Sequence, residues 1–180
     1  MIVKIEKYNP NWVQQFKKES KELENQLGSI VRYIYHIGST AVPDLMAKPI
    51  IDIMLDVKSL TDLDNQSQKL EKIGYEVMGE LGIKGRRYFR KGDNNRTHQI
   101  HAFKSEDPNL IRHLAFRDYL IKHKSIADKY GELKRNITEG CNNDIEKYCD
   151  EKEPFVKHHE SIALKWYKNI HEDEYKKITR

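Results

Sequence analysis

The sequence predicts an α+β protein in which helices flank a mixed β-sheet and a helical part follows toward the C-terminus. Strand-like alternation and buried apolar runs occur between helical patterns in the first part of the chain. Only helical patterns follow the last predicted strand. At 180 residues the chain fits one domain, which we place at residues 1–180. We expect its sheet-bearing core in about 1–105 and its helical part in about 106–180.

Three strands and one helix are predicted in the first 57 residues. Residues 2–8 alternate as a short strand, and a helix with Asn9 as its N-cap ends at Gly28. Residues 31–37 alternate between apolar and polar side chains, as one strand would. Residues 50–57 form a near-continuous apolar run, which is typical of a buried strand.

The next segment adds a helix, a strand and a hairpin. Ser59 starts the helix with a capping box, and Gly74 ends it. Residues 75–78 then form a strand. Residues 86–91 and 97–104 pair as a hairpin, because the Gly-Asp-Asn-Asn cluster between them favours a turn.

Helical patterns account for the rest of the chain. One long helical region extends over residues 107–140, with an Asp-Pro start and a glycine at its end. Asn143 or Asp144 caps the next helix, and Pro154 either kinks that helix or restarts it. We expect the charged residues from His171 onward to fray.

The composition, with 38% hydrophobic and 33% charged residues, predicts a soluble globular protein of the cytoplasm. No apolar run is long enough to cross a membrane, and no charged-then-apolar leader begins the chain. The net charge of +4 permits an anionic ligand but does not favour nucleic acid as the main partner. Cys141 and Cys149 form no Cys-x-x-Cys pattern, so we expect free thiols.

The candidate site is a Gly-Ser turn between two strands, followed by a strand carboxylate. Gly38 leaves room for another group to approach, and Ser39 adds a backbone N–H and a hydroxyl beside it. Asp52 interrupts the apolar run, where a carboxylate is costly unless it is hydrogen-bonded, paired or bound to a metal. Phosphate and magnesium chemistry needs this combination of turn and carboxylate.

Five sequence blocks resemble those of one known family. Residues 36–43 read His-Ile-Gly-Ser-Thr-Ala-Val-Pro and residues 47–53 read Ala-Lys-Pro-Ile-Ile-Asp-Ile, which are similar to the signature of the GrpB family. The resemblance extends to residues 8–12, 97–101 and 116–120, and so covers nearly the whole chain. The GrpB family is placed in the nucleotidyltransferase (polymerase beta-like) superfamily, and the resemblance therefore implies a nucleotidyltransferase-like fold.

The resemblance also implies roles for the turn and the carboxylate. Superfamily members transfer a nucleoside monophosphate with Mg²⁺ or Mn²⁺ held by two carboxylates two residues apart on one strand. Asp52 matches the first carboxylate, as a catalytic residue and metal ligand. The residues that would hold the phosphates are Gly38, Ser39 and Thr40. The chain departs from this pattern at Met54, and Asp56 lies roughly 13 Å along the strand from Asp52, too far to share one metal.

Two histidines are candidates to complete the site. His101 and His98 lie in the strand that we expect beside Asp52. A regular strand places them on opposite faces, so only a bulge would bring both to one metal. We therefore prefer His101 as a catalytic residue and metal ligand and keep His98 as a further ligand. The alternative for each is a hydrogen-bonded structural histidine.

Several cations are candidates for phosphate binding. Lys48 either contacts phosphate or pairs with Asp52 or Asp44. Three arginines of the predicted hairpin would suit a triphosphate, or would only form a charged strand edge: Arg86, Arg87 and Arg90.

Helical residues after the hairpin give weaker candidates. Arg117 and Asp118 are expected to form an interhelical ion pair rather than to contact a ligand. Lys134 and Lys152 are further candidates, although helical lysines usually face solvent.

Three functions follow as hypotheses. The first is a metal-dependent nucleotidyltransferase that moves a nucleoside monophosphate from a nucleoside triphosphate to an unknown acceptor. The second is a binding module for a nucleotide or another phosphorylated small molecule, without transfer activity, which Met54 favours. The third is a metal-dependent hydrolase that uses the histidines.

Overall fold

Five strands form one mixed sheet in the computed structural model, which describes residues 4–170. The strands are β1 (Val31–Ile37), β2 (Ile51–Val57), β3 (Tyr75–Val77), β4 (Arg87–Lys91) and β5 (His98–Lys104). Their spatial order is β1-β2-β5-β4-β3, with β2 and β5 parallel and the other neighbours antiparallel. The predicted mixed sheet and the predicted hairpin of β4 and β5 are therefore confirmed.

Six α-helices accompany the sheet in the described residues. They are α1 (Asn11–Leu27), α2 (Leu60–Asn65), α3 (Ser67–Lys72), α4 (Pro108–Lys122), α5 (Lys124–Gly140) and α6 (Ile145–Ile170). Side-chain oxygens accept backbone N–H groups at the start of four of them, namely those of Asn9, Ser59, Asp107 and Asp144. The cap of α6 is therefore Asp144 rather than Asn143.

Two predicted helices are interrupted, and for the last helix one of the two predicted effects of Pro154 is excluded. The helix expected after Ser59 is divided at Gln66 into α2 and α3. The region 107–140 is divided at His123, whose ψ of 73° leaves the helical range, although no glycine or proline marks the break. Helix α6 continues through Pro154 without restarting.

The predictions for the two chain ends are only partly covered. Of the strand expected at residues 2–8, the structure shows a single bridge, in which Glu6 pairs with Ala47. Residues 2 and 3 of that strand, and the segment from His171, lie outside the described residues. Cys141 and Cys149 are free thiols, as predicted. Among residues 4–170, no helix is both long and apolar enough to cross a membrane.

The two faces of the sheet are covered by different helices. Alternate residues of a strand point to opposite faces. One face carries Ile53, Leu55 and Ile100, and these side chains belong to the main core with residues of α1, α2 and α3. The other face carries Asp52, Met54 and His101 in register and packs toward the helical part, beginning with Leu110 of α4. The candidate site therefore lies between the sheet and helices α4–α6.

Met54 stands at the position where the resemblance to the nucleotidyltransferase superfamily predicts a second carboxylate. Its side chain is 0% exposed and packs with Ile37, Phe103 and Leu110. A carboxylate at this position would be fully buried against these apolar side chains, which is a costly environment for a charge.

We expect Met54→Asp to lower the free energy of unfolding by at least about 3 kcal/mol, because it removes apolar packing and buries a carboxyl group. Met54→Leu, a change of similar volume, should cost less than about 1.5 kcal/mol. Urea denaturation of both variants measures the difference. Equal stability of the two variants would contradict this account of why position 54 is apolar.

Candidate functional site

The site begins with a close contact between Gly38 and Asp52. Ile37, the last residue of β1, pairs with Asp52 of β2, so the chain turns directly beside the carboxylate. Gly38 has a φ of 71°, and a Cβ at this position would overlap Oδ2 of Asp52. Glycine is therefore required both by the backbone conformation and by the lack of space. The following turn, Ser39–Ala41, is a short 3₁₀-helix.

Thr40 fastens this turn to the sheet. Its side chain is 1% exposed, and its hydroxyl donates to the carbonyl of Ile50 at 3.4 Å. The hydroxyl also lies 3.0 Å from Nε2 of His36, which therefore donates to it. Burial lowers the pKa of His36 to about 4, so the ring is neutral near pH 7. Thr40 was predicted to bind phosphate, but its hydroxyl is already used within the protein.

Arg117 holds helix α4 against the same turn. Its Nη1 donates to the backbone carbonyl of His36 at 3.0 Å, while its Nε pairs with Asp118 at 2.7 Å. The expected interhelical ion pair is wrong, because both partners are neighbours on α4. Arg117 connects the helix to β1 instead.

Lys134 of α5 reaches the serine of the turn. Its Nζ donates to Oγ of Ser39 at 2.9 Å and to the carbonyl of Met46. The side chain is only 2% exposed, which corrects the expectation that this lysine faces solvent. Burial, followed by the charges of Lys152 and Lys48, lowers the pKa of Lys134 to about 7, while Asp52 acts in the opposite direction.

These groups surround a small basic cavity of about 120 Å³. Its polar lining includes Ser39, Thr40, Lys48, Asp52, Gln99, Lys134 and Lys152. The ring of Tyr148 lies 4.7 Å from the ammonium of Lys48 and 5.6 Å from that of Lys152. Burial, with the charge of Lys152, lowers the pKa of Lys48. Three lysines thus face one carboxylate in a confined space.

A larger cavity of about 310 Å³ adjoins the basic cavity and shares Ser39, Asp52, Tyr130 and Lys152 with it. Its apolar lining consists of Ile83, Phe116, Leu120 and Val156. An ion pair between Arg112 and Glu160, with Nη1 and Oε1 2.7 Å apart, forms part of its polar lining. The two cavities form one cleft with a basic end and a mainly apolar end.

His101 stands beside Asp52, as the sequence predicted. Its Nε2 is 3.7 Å from Oδ1 of Asp52, and its Nδ1 is 3.5 Å from Nη1 of Arg86. An arginine can only donate, so Nδ1 is the acceptor and Nε2 carries the hydrogen that faces Asp52. Arg86 is itself buried and is fixed by the carbonyls of Glu80 and Leu81. At 3.7 Å the two atoms are beyond hydrogen-bond distance, so His101 is a close neighbour of Asp52, and in this tautomer its Nε2 offers no lone pair to a metal.

Three predicted candidates do not reach the cleft. His98 lies on the opposite face of the sheet, where its Nε2 is 3.8 Å from Oε2 of Glu19. No bulge displaces it, because β2 and β5 pair in regular register. Arg87 forms a two-pronged ion pair with Asp64 at 2.7 and 2.8 Å. Arg90 forms one with Glu76 at 2.5 and 2.9 Å.

The donor set does not make a complete metal site. Within residues 4–170, no three side chains of His, Cys, Asp or Glu come together as metal ligands would. Asp52, with 26% of its side chain exposed, is the carboxylate that the cleft offers beside the Gly-Ser turn. A hard cation such as Mg²⁺ bound here would need its other oxygen ligands from water and from the ligand itself.

The sequence missed two tyrosines of the cleft, because Tyr130 and Tyr148 fit the apolar stripes of α5 and α6. A signal was present nevertheless. Each tyrosine precedes a lysine by four residues, as Tyr130 precedes Lys134 and Tyr148 precedes Lys152. Residues four apart share one side of a helix, so a buried tyrosine places its lysine toward the interior.

Comparison with known structures first defines the class of protein. The fold is nucleotidyltransferase-like: it aligns with the structure of Cid1 in complex with its short product ApU, with a TM-score of 0.51 and 12% identity over 71% of this chain and 41% of that chain. The chain matches the GrpB protein family over residues 2–161. It belongs to the GrpB family.

Individual relatives agree with this assignment. The crystal structure of the conserved protein GrpB from Enterococcus faecalis aligns with a TM-score of 0.88 and 42% identity, covering 91% of this chain and 99% of that chain. The UPF0157 protein YqkA of Bacillus subtilis is 39% identical over 166 residues, which is 92% of this chain. The chain spans 48% of the length of that relative.

The lowered pKa of Lys134 predicts a pH-dependent stability. Between about pH 7 and the ordinary lysine value of 10.5, the unfolded state binds more protons than the folded state, so stability rises with pH. Through Lys134, the free energy of unfolding should rise by up to about 1.4 kcal/mol per pH unit. Lys134→Met removes it, so the stability of the wild type relative to this variant should rise from pH 7.5 to pH 9.5 in urea denaturation.

The exposed Lys129 on the same helix provides the control. The stability of the wild type relative to Lys129→Met should stay constant over this pH range. A constant difference for Lys134→Met as well would show that the buried lysine keeps its ordinary pKa.

Proposed function

We propose that the cleft binds a nucleoside triphosphate, with the phosphates at the basic end and the nucleoside at the apolar end. The observation that carries this proposal is that Lys48, Lys134 and Lys152 line one small cavity with Ser39, to which Lys134 donates. In the described part of the chain, none of these lysines forms an ion pair with a carboxylate. Confined cations without carboxylate partners favour an anion with several charges.

The phosphate end has the properties of an anion site in other respects. Burial makes the ionised lysines costly, as the lowered pKa of Lys134 indicates, and a bound phosphate would offset that cost. Electrostatic attraction is also stronger in a confined site than in open solvent. The contact between Gly38 and Asp52 keeps Ser39 at the edge of the sheet, where its hydroxyl lies within the basic cavity.

The apolar end has the size and lining for the organic part of the ligand. Pockets for small molecules are mostly apolar with a few oriented polar groups. Phe116, Ile83 and Val156 give apolar surface, while Arg112 and Glu160 offer donors and an acceptor to the edge of a base. Because this cavity opens into the basic one, a single ligand would span both.

The proposal predicts different effects of two substitutions on two ligands. Lys134→Gln should weaken the binding of both ATP and inorganic tripolyphosphate at least about tenfold, which corresponds to about 1.4 kcal/mol. Phe116→Ala should weaken ATP binding but leave tripolyphosphate binding within about twofold. Isothermal titration calorimetry measures the four affinities, and Lys129→Gln serves as the matched charge control.

Two results would contradict this prediction. Absence of tripolyphosphate binding to the wild type would exclude the phosphate end of the site. If Phe116→Ala weakened the binding of ATP and of tripolyphosphate equally, the apolar end would not hold the nucleoside.

Nucleotidyl transfer is a second candidate function, which the likeness to the Cid1 fold and the position of Asp52 favour. In this reaction an acceptor hydroxyl attacks the α-phosphorus, its proton passes to Asp52, and pyrophosphate leaves as the α–β bridging bond breaks. His101, whose Nε2 lies 3.7 Å from Oδ1, would help to position the carboxylate. Mg²⁺ or Mn²⁺ would have to arrive with the triphosphate, since Asp52 is the one carboxylate that residues 4–170 place beside the Gly-Ser turn.

If transfer occurs, Asp52→Asn should abolish product formation from α-labelled triphosphate while changing triphosphate affinity less than about threefold, because the lysines remain. The reaction is followed with Mg²⁺ or Mn²⁺ and a panel of small hydroxyl-bearing acceptors. If the Asp52→Asn variant formed product at the wild-type rate, the carboxylate would be excluded as the base. Tight binding without product in the wild type would identify a binding module.

A further inference from the structure

A third cavity continues the cleft at its basic end. It is an open groove of about 750 Å³ that shares Lys48 and Ile50 with the basic cavity. Lys4 and Arg96 add two further cations, and Asn94, Asn95 and Asn143 add amide groups. Among the residues that the structure describes, no aspartate or glutamate lines the groove. Its chemistry is therefore that of an anion site separate from Ser39 and Lys134.

Arg96 is the distinctive residue of this groove. Its Nε is buried without a hydrogen-bond partner, and within residues 4–170 its guanidinium forms no ion pair. The other arginines of the hairpin differ, since Arg87 and Arg90 each pair with a carboxylate. A buried donor without an acceptor is costly, so an arginine in this state indicates a partner that comes from outside the chain.

The neighbouring cations support this interpretation. Lys48 lies between the groove and the basic cavity and has the ring of Tyr148, rather than a carboxylate, against its ammonium. Lys4 pairs with Glu6 at 3.0 Å, but the Lys4 side chain is 71% exposed, and ion pairs that solvent reaches are weak. The planar guanidinium of Arg96 can bind two oxygens of a phosphate at once, which a lysine cannot do.

We propose that this groove binds the phosphate group of a second ligand, with Arg96 as its main contact. The inference extends the proposed function, and in a transfer reaction the groove would hold a phosphate-bearing acceptor beside the triphosphate. Lys48 faces both ligands. The site itself depends on residues of the hairpin turn and the groove, so it can be tested without knowledge of the acceptor.

The test is the number of inorganic pyrophosphate ions bound, measured by isothermal titration calorimetry at low salt. The wild type should bind two. Arg96→Gln should weaken one of them at least tenfold and keep the other, whereas Lys134→Gln should do the reverse. Arg135→Gln, which removes the same charge from an exposed position on α5 that lines none of the three cavities, should keep both.

The outcomes separate the two proposals. A single pyrophosphate in the wild type, lost in Lys134→Gln and unaffected by Arg96→Gln, would overturn the groove site and leave the triphosphate site standing. Two ions with unchanged affinities in Arg96→Gln would also overturn it. A single ion lost only in Arg96→Gln would support the groove and contradict the phosphate end of the proposed triphosphate site.

Discussion

The contact between Gly38 and Asp52 is the constraint on which the rest of the site depends. It lets the chain leave β1 and turn across the carboxylate of β2 without a side chain between them. Thr40 and Arg117 then fix this turn to the sheet and to helix α4. Any other residue at position 38 would displace either the turn or the carboxylate of Asp52, because the space between them is already filled. The geometry of the cleft thus follows from one missing side chain.

The carboxylate and the lysines of the basic end come from different parts of the fold. The sheet provides Asp52 with His101 as its neighbour, while α5, α6 and the segment before β2 provide three lysines. Tyr130 and Tyr148 place their rings against these ammonium groups, at 4.5 Å for the pair Tyr130 and Lys134. Aromatic faces stabilise a cation modestly without neutralising it. The lysines therefore keep their capacity to attract an anion, which carboxylate partners would have removed.

The sequence predicted most elements of the fold and the position of the Gly-Ser turn between the strands β1 and β2, since strand alternation, caps and the turn itself are local signals. It could not predict the split at His123, because one non-helical residue leaves the apolar spacing almost unchanged. It also misjudged Lys134, whose burial depends on how α5 meets the turn at Ser39. Arg87 and Arg90 were indistinguishable from Arg86 by composition. Their carboxylate partners come from α2 and β3, and only the tertiary structure brings these together.

The distribution of charge between the sheet and the helical part has a mechanical consequence. Lys134 and Lys152 belong to α5 and α6, whereas Lys48 precedes β2, so their mutual repulsion acts across the junction of the two layers. An anion bound among them would replace that repulsion with attraction to both layers at once. Any species that binds only the folded state adds to the stability of that state. Binding of an anion in the cleft would therefore be coupled to the packing of the helical part against the sheet: each would stabilise the other.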